Sequence, residues 1–149
     1  MKFKRHFTKK ENDAYAGLEF KTTTSEIKNP DGTIVFSAPN IEVPGNYSQV
    51  AADIIAQKYF RKAGIPIYLK KVKEENIPSW LYRSEPDLEK LSNILEEKRF
   101  VGEESAKQVF DRLAGTWTYW GWKGKYFTTE EDAKIYFDEM RFMLAAQMC

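Results

Sequence analysis

The sequence predicts an α+β fold that is mostly α: a β-hairpin near the amino terminus followed by three to four packed helices. Three observations carry that expectation. The Thr-rich run EFKTTTSEI (19–27) and the run TIVFS (33–37) flank Asn29-Pro30-Asp31-Gly32, a turn signal between two β-prone segments. Downstream, apolar residues recur at three- and four-residue steps in segments bounded by capping residues, which is the helical period. The 149 residues, 42% hydrophobic and 30% charged, suffice for one core and are too few for two comfortable domains.

Taken in order, residues 1–14 read as a basic arm, mobile or docked on a partner, and 15–149 as a single domain. The first ten residues carry Lys2, Lys4, Arg5, Lys9 and Lys10 without an acid. In the hairpin turn, Pro30 presets φ, Asn29 can bond back to the backbone, and Gly32 accepts the left-handed conformation that closes the turn. Asn46 or Ser48 can cap a helix running to about Lys62, with Val50, Ala51, Ile54, Ile55 and Tyr59 as its apolar stripe. Gly64 and Pro66 stop it.

Residues 67–84 read as irregular and anchored by Pro78 and Trp80. Pro86 suits the first turn of a short helix carrying Leu88, Leu91 and Leu95. The stretch 67–101 is expected to be the least organised. The next helix is the clearest, with Ala106, Val109, Phe110, Leu113, Trp117 and Trp120 in phase. Gly121 is expected to end it and Gly124 to add a turn. The last helix opens with a capping box of Thr128 and Glu131 and lines up Ala133, Phe137, Met140, Leu144 and Met148. No stop signal closes it, so the expectation is an element that continues beyond LAAQMC.

Charge and composition narrow the function classes. A formal charge of +1 argues against a dedicated nucleic-acid binder and against an acidic tail. No apolar run approaches the roughly 20 residues of a membrane helix, and no apolar h-region follows the basic start. One cysteine permits no internal disulfide, which suits a cytoplasmic protein.

The chemistry-bearing residues are sparse. His6 is the single histidine, which leaves no His-based triad or multi-His metal site. No phosphate-binding glycine loop is present. The acids Glu103, Glu104, Glu130, Glu131, Asp132, Asp138 and Glu139 are expected on solvated helix starts, offsetting the macrodipole. In WTYWGWKGKYF, Trp122, Lys123, Lys125 and Tyr126 could stack bases and hold phosphates, while Trp117 and Trp120 continue an apolar face. Cys149 reads as a small buried residue or an exposed terminal thiol, with nothing in sequence marking a lowered pKa.

Three stretches resemble one family. GEESAKQVFDRLAGTWTYWGWKGKYF (102–127), NPDGTIVFSAPNIEVP (29–44) and SQVAADIIAQKYFRKAGIP (48–66) are similar to the amino-terminal region of the large adenosylcobalamin-dependent (class II) ribonucleotide reductases. The resemblance covers about Lys21 to Met148. It implies a parent enzyme that turns ribonucleotides into deoxyribonucleotides through a cobalamin-generated cysteine thiyl radical. In that family DEMRFMLAAQM leads into an Asn-Ser-Pro-rich stretch opening the catalytic barrel, so the domain is expected to be cut at that border.

The implied mechanism needs three active-site thiols, and one is present. The resemblance therefore transfers no catalytic, cofactor-binding or metal residue to this chain, which is expected to be inactive by itself and not to bind adenosylcobalamin alone. It implies the barrel-containing remainder as partner, with a second subunit as a further one, and a role in supporting the barrel. Apolar surface on 129–148 is expected to seek that remainder. Trp122, Lys123, Lys125 and Cys149 are the candidate partner or ligand contacts. Two alternatives stay open: a free-standing nucleotide or nucleic-acid module built on the Trp/Lys turn, and the flank of an intein-interrupted reductase, with Cys149 at the junction.

Overall fold

The computed structural model describes residues 1–148; Cys149, and with it every expectation placed on that residue, lies outside the described residues. β1 (Phe20–Lys28) and β2 (Ile34–Pro44) form an antiparallel ribbon in which Phe20 faces Pro44 and Lys28 faces Ile34. At the turn, Gly32 adopts φ +86°, and the Asp31 carboxylate accepts from the Thr33 N–H and hydroxyl at 2.9 and 2.7 Å. A register shift between Thr23 and Ser25 marks a β-bulge, opposite which Asn40 is left-handed (φ 57°). Below the bulge, Ile41 and Val43 are buried; towards the tip, Ile34 and Val35 are exposed.

α1 (Gln49–Ile54) is capped by the Ser48 hydroxyl, which accepts from the Ala51 N–H. It continues as a π-helical turn, Ile55–Tyr59, closed by the Phe60 N–H on the Ile55 carbonyl at 3.1 Å. The helix therefore ends short of Lys62. Its buried face also differs from the expected stripe. Ala52, Ile55, Ala56 and Phe60 are buried, whereas Val50, Ile54 and Tyr59 face outward. The ribbon sets this rotation: Gln49 donates to the Thr24 carbonyl, and Gln57 to the Ser25 hydroxyl.

Residues 65–101 hold more order than their composition suggests. β3 (Ile65–Pro66) pairs with β6 (Phe100–Val101), and β4 (Leu69–Lys71) with β5 (Ser84–Pro86). A 3₁₀ turn, Ser79–Leu81, carries Trp80 to 5.9 Å from the Phe137 ring, with its indole N–H on Glu130. α2 (Leu88–Ser92) starts at the Asp87 cap, one residue beyond Pro86. Leu91 is its buried anchor, and Leu88 and Leu95 are exposed, because five residues make too little helix to align all three.

α3 (Ala106–Lys123) and α4 (Glu130–Ala145) form the main helix pair. They run antiparallel: Asp111 meets Arg141, and Gly115 lies against Phe137. Ser105 and the Gln108 side chain form the capping box of α3, and Ser105 also donates to Glu42 of β2 at 2.6 Å. Helix α3 passes through Gly121 and stops at Gly124. Gly121 is needed inside the helix because the Phe127 ring packs onto it; a Cβ there would sit 2.7 Å from Phe127 Cε2. The buried face thus runs Ala106, Phe110, Ala114, Thr118, Gly121. Trp117 is half-buried and Trp120 is exposed. In α4 the capping box is Thr129 with Asp132, one residue later than expected.

The core joins the ribbon base (Ile41, Val43), the α1 region (Ile55, Phe60), α3 (Val109, Phe110) and Ala145 of α4. Residues 1–8 are laid along α4 rather than being free. Phe3 packs 5.4 Å from Tyr136, and Phe7 stacks on Phe142 at 5.3 Å.

Candidate functional site

Helix α3 delivers Trp122, Lys123 and Lys125 to one place. Its last turn and the left-handed Lys125 (φ 58°) wrap around the loop Glu75–Ile77, leaving a cavity of about 460 Å³ that these three side chains line with Phe127. The Trp122 indole N–H donates to the Asn76 carbonyl at 2.6 Å. Lys123 lies 5.2 Å from the Tyr119 ring. The Tyr119 hydroxyl donates to Glu74 at 2.6 Å and, against a smaller effect of burial, holds that carboxyl below the usual range.

These contacts give the cluster a local purpose. Free carbonyls at a helix carboxyl end carry partial negative charge, which lysines offset and phosphates oppose. Trp122 has its donor engaged within the chain, on the Asn76 carbonyl.

A second polar group lies across α3, beside a cavity of about 620 Å³ bounded by Arg61, Arg83, Trp80 and Tyr119. Here the Glu103 carboxylate is buried. It accepts from Arg112 Nε and Nη2 at 3.0 and 3.1 Å and from the Arg61 backbone N–H at 2.8 Å. Nearby, Tyr15 donates to Asp111 at 2.7 Å, and Arg141 bridges Asp111 and Asp138 at 3.3 and 2.7 Å. Burial, reinforced by Asp111, pushes the Tyr15 phenol upward, so it stays protonated. Burial disfavours the Arg141 cation, but Asp138 and Asp111 outweigh it and raise its pKa. Opposite charges here clamp elements together.

The acids of α4 were expected in solvent, and two are buried instead. Asp132 accepts from the Phe3 N–H at 2.9 Å. Glu139 accepts from the N–H groups of His6, Phe7 and Thr8 and from the Thr8 hydroxyl at 2.6 Å. The only sequence signal for this was an amino-terminal segment whose Phe3 and Phe7 needed a surface.

Among the described residues, no group of three or more His, Cys, Asp or Glu is placed to hold a metal ion, and no helix is long and apolar enough to cross a membrane. Ribbon and helix pair make an α+β fold in which the polar groups described above bond to partners within the chain. Comparison with known proteins gives its relations. A family model described as class II vitamin B12-dependent ribonucleotide reductase matches residues 21–147. The vitamin B12-dependent ribonucleotide reductase of Bradyrhizobium diazoefficiens is 60% identical over 148 residues, covering 99% of this chain and 12% of the relative. That of Agrobacterium fabrum is 56% identical over 147 residues, with the same coverages of 99% and 12%. The chain belongs to the class II vitamin B12-dependent ribonucleotide reductase family, and it spans about 12% of the length of these relatives.

Proposed function

We propose that this chain is the amino-terminal structural portion of a vitamin B12-dependent ribonucleotide reductase, where it packs against the catalytic body and supports it. The observation that carries this reading is 60% identity across 99% of the chain to a reductase about eight times its length. The assembled enzyme would act in the cytoplasm on ribonucleotides, with adenosylcobalamin generating the radical and contacts to a second subunit open to this domain.

The residues present do not fit the cofactor. Neither the 620 Å³ cavity, braced by the Glu103–Arg112 pair, nor the 460 Å³ cavity at the lysines accommodates a corrin ring with its nucleotide arms. No catalytic step is therefore assigned to this chain. What its own residues do is hold shape: Arg112 and Glu103 tie the 59–61 and 101–103 segments to α3, and Ser105 ties α3 to β2.

Titrating the chain against the separately expressed remainder of the reductase, with cobalamin-dependent deoxynucleotide formation as readout, tests the proposal. Activity that depends on both pieces supports it. A remainder that is fully active and binds nothing refutes it. Trp122, Lys123 and Lys125 are assigned to packing and helix-end charge balance, so changing both lysines to Ala leaves retention on nucleic acid at its background.

A further inference from the structure

Helix α1 presents an inverted surface. Amphipathic surface helices put polar residues towards water and apolar ones towards the core. In α1 and its π-helical turn, two of the polar side chains, Gln49 and Gln57, are directed onto the chain's own ribbon. The apolar side chains divide between two faces. Ala52, Ile55 and Ala56 are buried, while Val50, Ile54 and Tyr59 are 67%, 52% and 56% exposed.

The outward face borders a groove of about 360 Å³. Ile54 and Tyr59 form one wall, Phe110 and Leu113 of α3 the floor, and Leu144 and Gln147 the far wall. Exposed apolar side chains beside an apolar groove suit a contact with another surface better than a solvated face.

Resting on the functional reading above, we propose that this groove is where the remainder of the reductase polypeptide docks, through aliphatic or aromatic side chains inserted between Ile54 and Leu144. In the relatives the matched segment is 12% of one polypeptide. A large body of chain is therefore tethered to it at high effective concentration, an advantage that a free partner or a second copy lacks. The docking face thus lies on the α1–α3 side, and helix α4 contributes only its last turn. Much of the rest of α4 is covered by residues 1–8.

The test uses the Bradyrhizobium diazoefficiens reductase with its matching segment replaced by this chain. A photo-crosslinking benzophenone amino acid is placed at Ile54 or, as a control, at the exposed Glu97. Mass spectrometry should find position 54 joined to polypeptide beyond the segment, several-fold more often than position 97. Crosslinks from position 54 that reach only a second copy of the segment, or that do not exceed the control, overturn the proposal. An active chimera without the crosslink defeats the docking site and spares the functional reading; the crosslink in a chimera that makes no deoxynucleotide does the reverse. The double change V50E/I54E supplies an independent check on the isolated chain. Its melting temperature should be unchanged, and a drop of several degrees would assign the face to the chain's own core and overturn the proposal.

Discussion

Gly115 and Gly121 both sit inside α3, yet their surroundings differ. A Cβ on Gly115 would meet Phe137 Cε2 at 3.7 Å, an ordinary contact. One on Gly121 would press into Phe127 at 2.7 Å, and that ring is held in turn by Phe3 at 5.8 Å and Tyr136 at 5.4 Å. Gly121→Ala should therefore lower stability by about 1–3 kcal/mol through overpacking. Gly115→Ala should be neutral or stabilising by up to about 1 kcal/mol, from helix propensity. Urea denaturation of the two variants separates these outcomes; equal effects would contradict the assigned packing. The same scale explains Glu103. Its carboxylate is 4% exposed and its Arg112 partner 25%, so Glu103→Gln removes the counter-charge of a half-buried guanidinium, which keeps the Tyr59 carbonyl. Loss of about 3 kcal/mol is expected, at the low end for a broken buried pair because Arg112 keeps some water. A shift in the urea midpoint with unchanged slope would report it.

At the scale of elements, the legible features were those governed by local chemistry. The Asn-Pro-Asp-Gly turn, the Ser48 cap and the long helical period from Ala106 appear where the sequence placed them. The errors arose where packing chose between locally equivalent options. Helical phase pointed to Trp117 and Trp120 as core, but small residues let α3 approach its neighbours closely, so Ala114, Thr118 and Gly121 form the inner face. The stripe assigned to α1 was rotated for a similar reason, since no local rule records that Gln49 and Gln57 have partners on the ribbon. The site was half legible. Sequence proximity gathered Trp122, Lys123 and Lys125, but the carbonyl of Asn76, distant in sequence, could not be foreseen. A direct comparison follows from the corrected face: Phe110→Ala, at a residue 4% exposed, should cost about 3–5 kcal/mol. Trp120→Ala, at one 62% exposed, should stay within about 0.5 kcal/mol. Thermal melts of both variants check the ordering, and a larger loss at Trp120 would restore the aromatic stripe as core.

Across the whole molecule, closure of the amino-terminal segment onto α4 depends on carboxylates, those of Glu139 and Asp132 together with Asp138 in its 2.8 Å pair with Arg5, and therefore on pH. For Glu139, burial acts to raise the pKa. It is outweighed by hydrogen bonds from the Thr8 hydroxyl and from the N–H groups of Thr8, His6 and Phe7, so the folded-state value is lowered. Asp132 is lowered as well, first by the Phe3 N–H and then by Thr129. A carboxyl whose folded pKa lies below its unfolded value contributes stability that is fully present above the unfolded value. That contribution is lost as pH falls through the folded value. The segment should accordingly stay docked at neutral pH and loosen only below about pH 4, under the ordinary carboxylate range. Hydrogen exchange at the Phe7 and Thr8 amides would follow the release residue by residue. Glu139→Gln keeps the side-chain shape but replaces one acceptor oxygen with a donor facing those N–H groups, and should cost about 1–3 kcal/mol. In that variant the exchange rates should already be raised at neutral pH, and the dependence on acid should shrink. Unchanged protection in Glu139→Gln would mean that the segment is held without Glu139, by the rings of Phe3 and Phe7 on Tyr136 and Phe142 and by the contacts of Phe3 with Asp132 and Arg5 with Asp138.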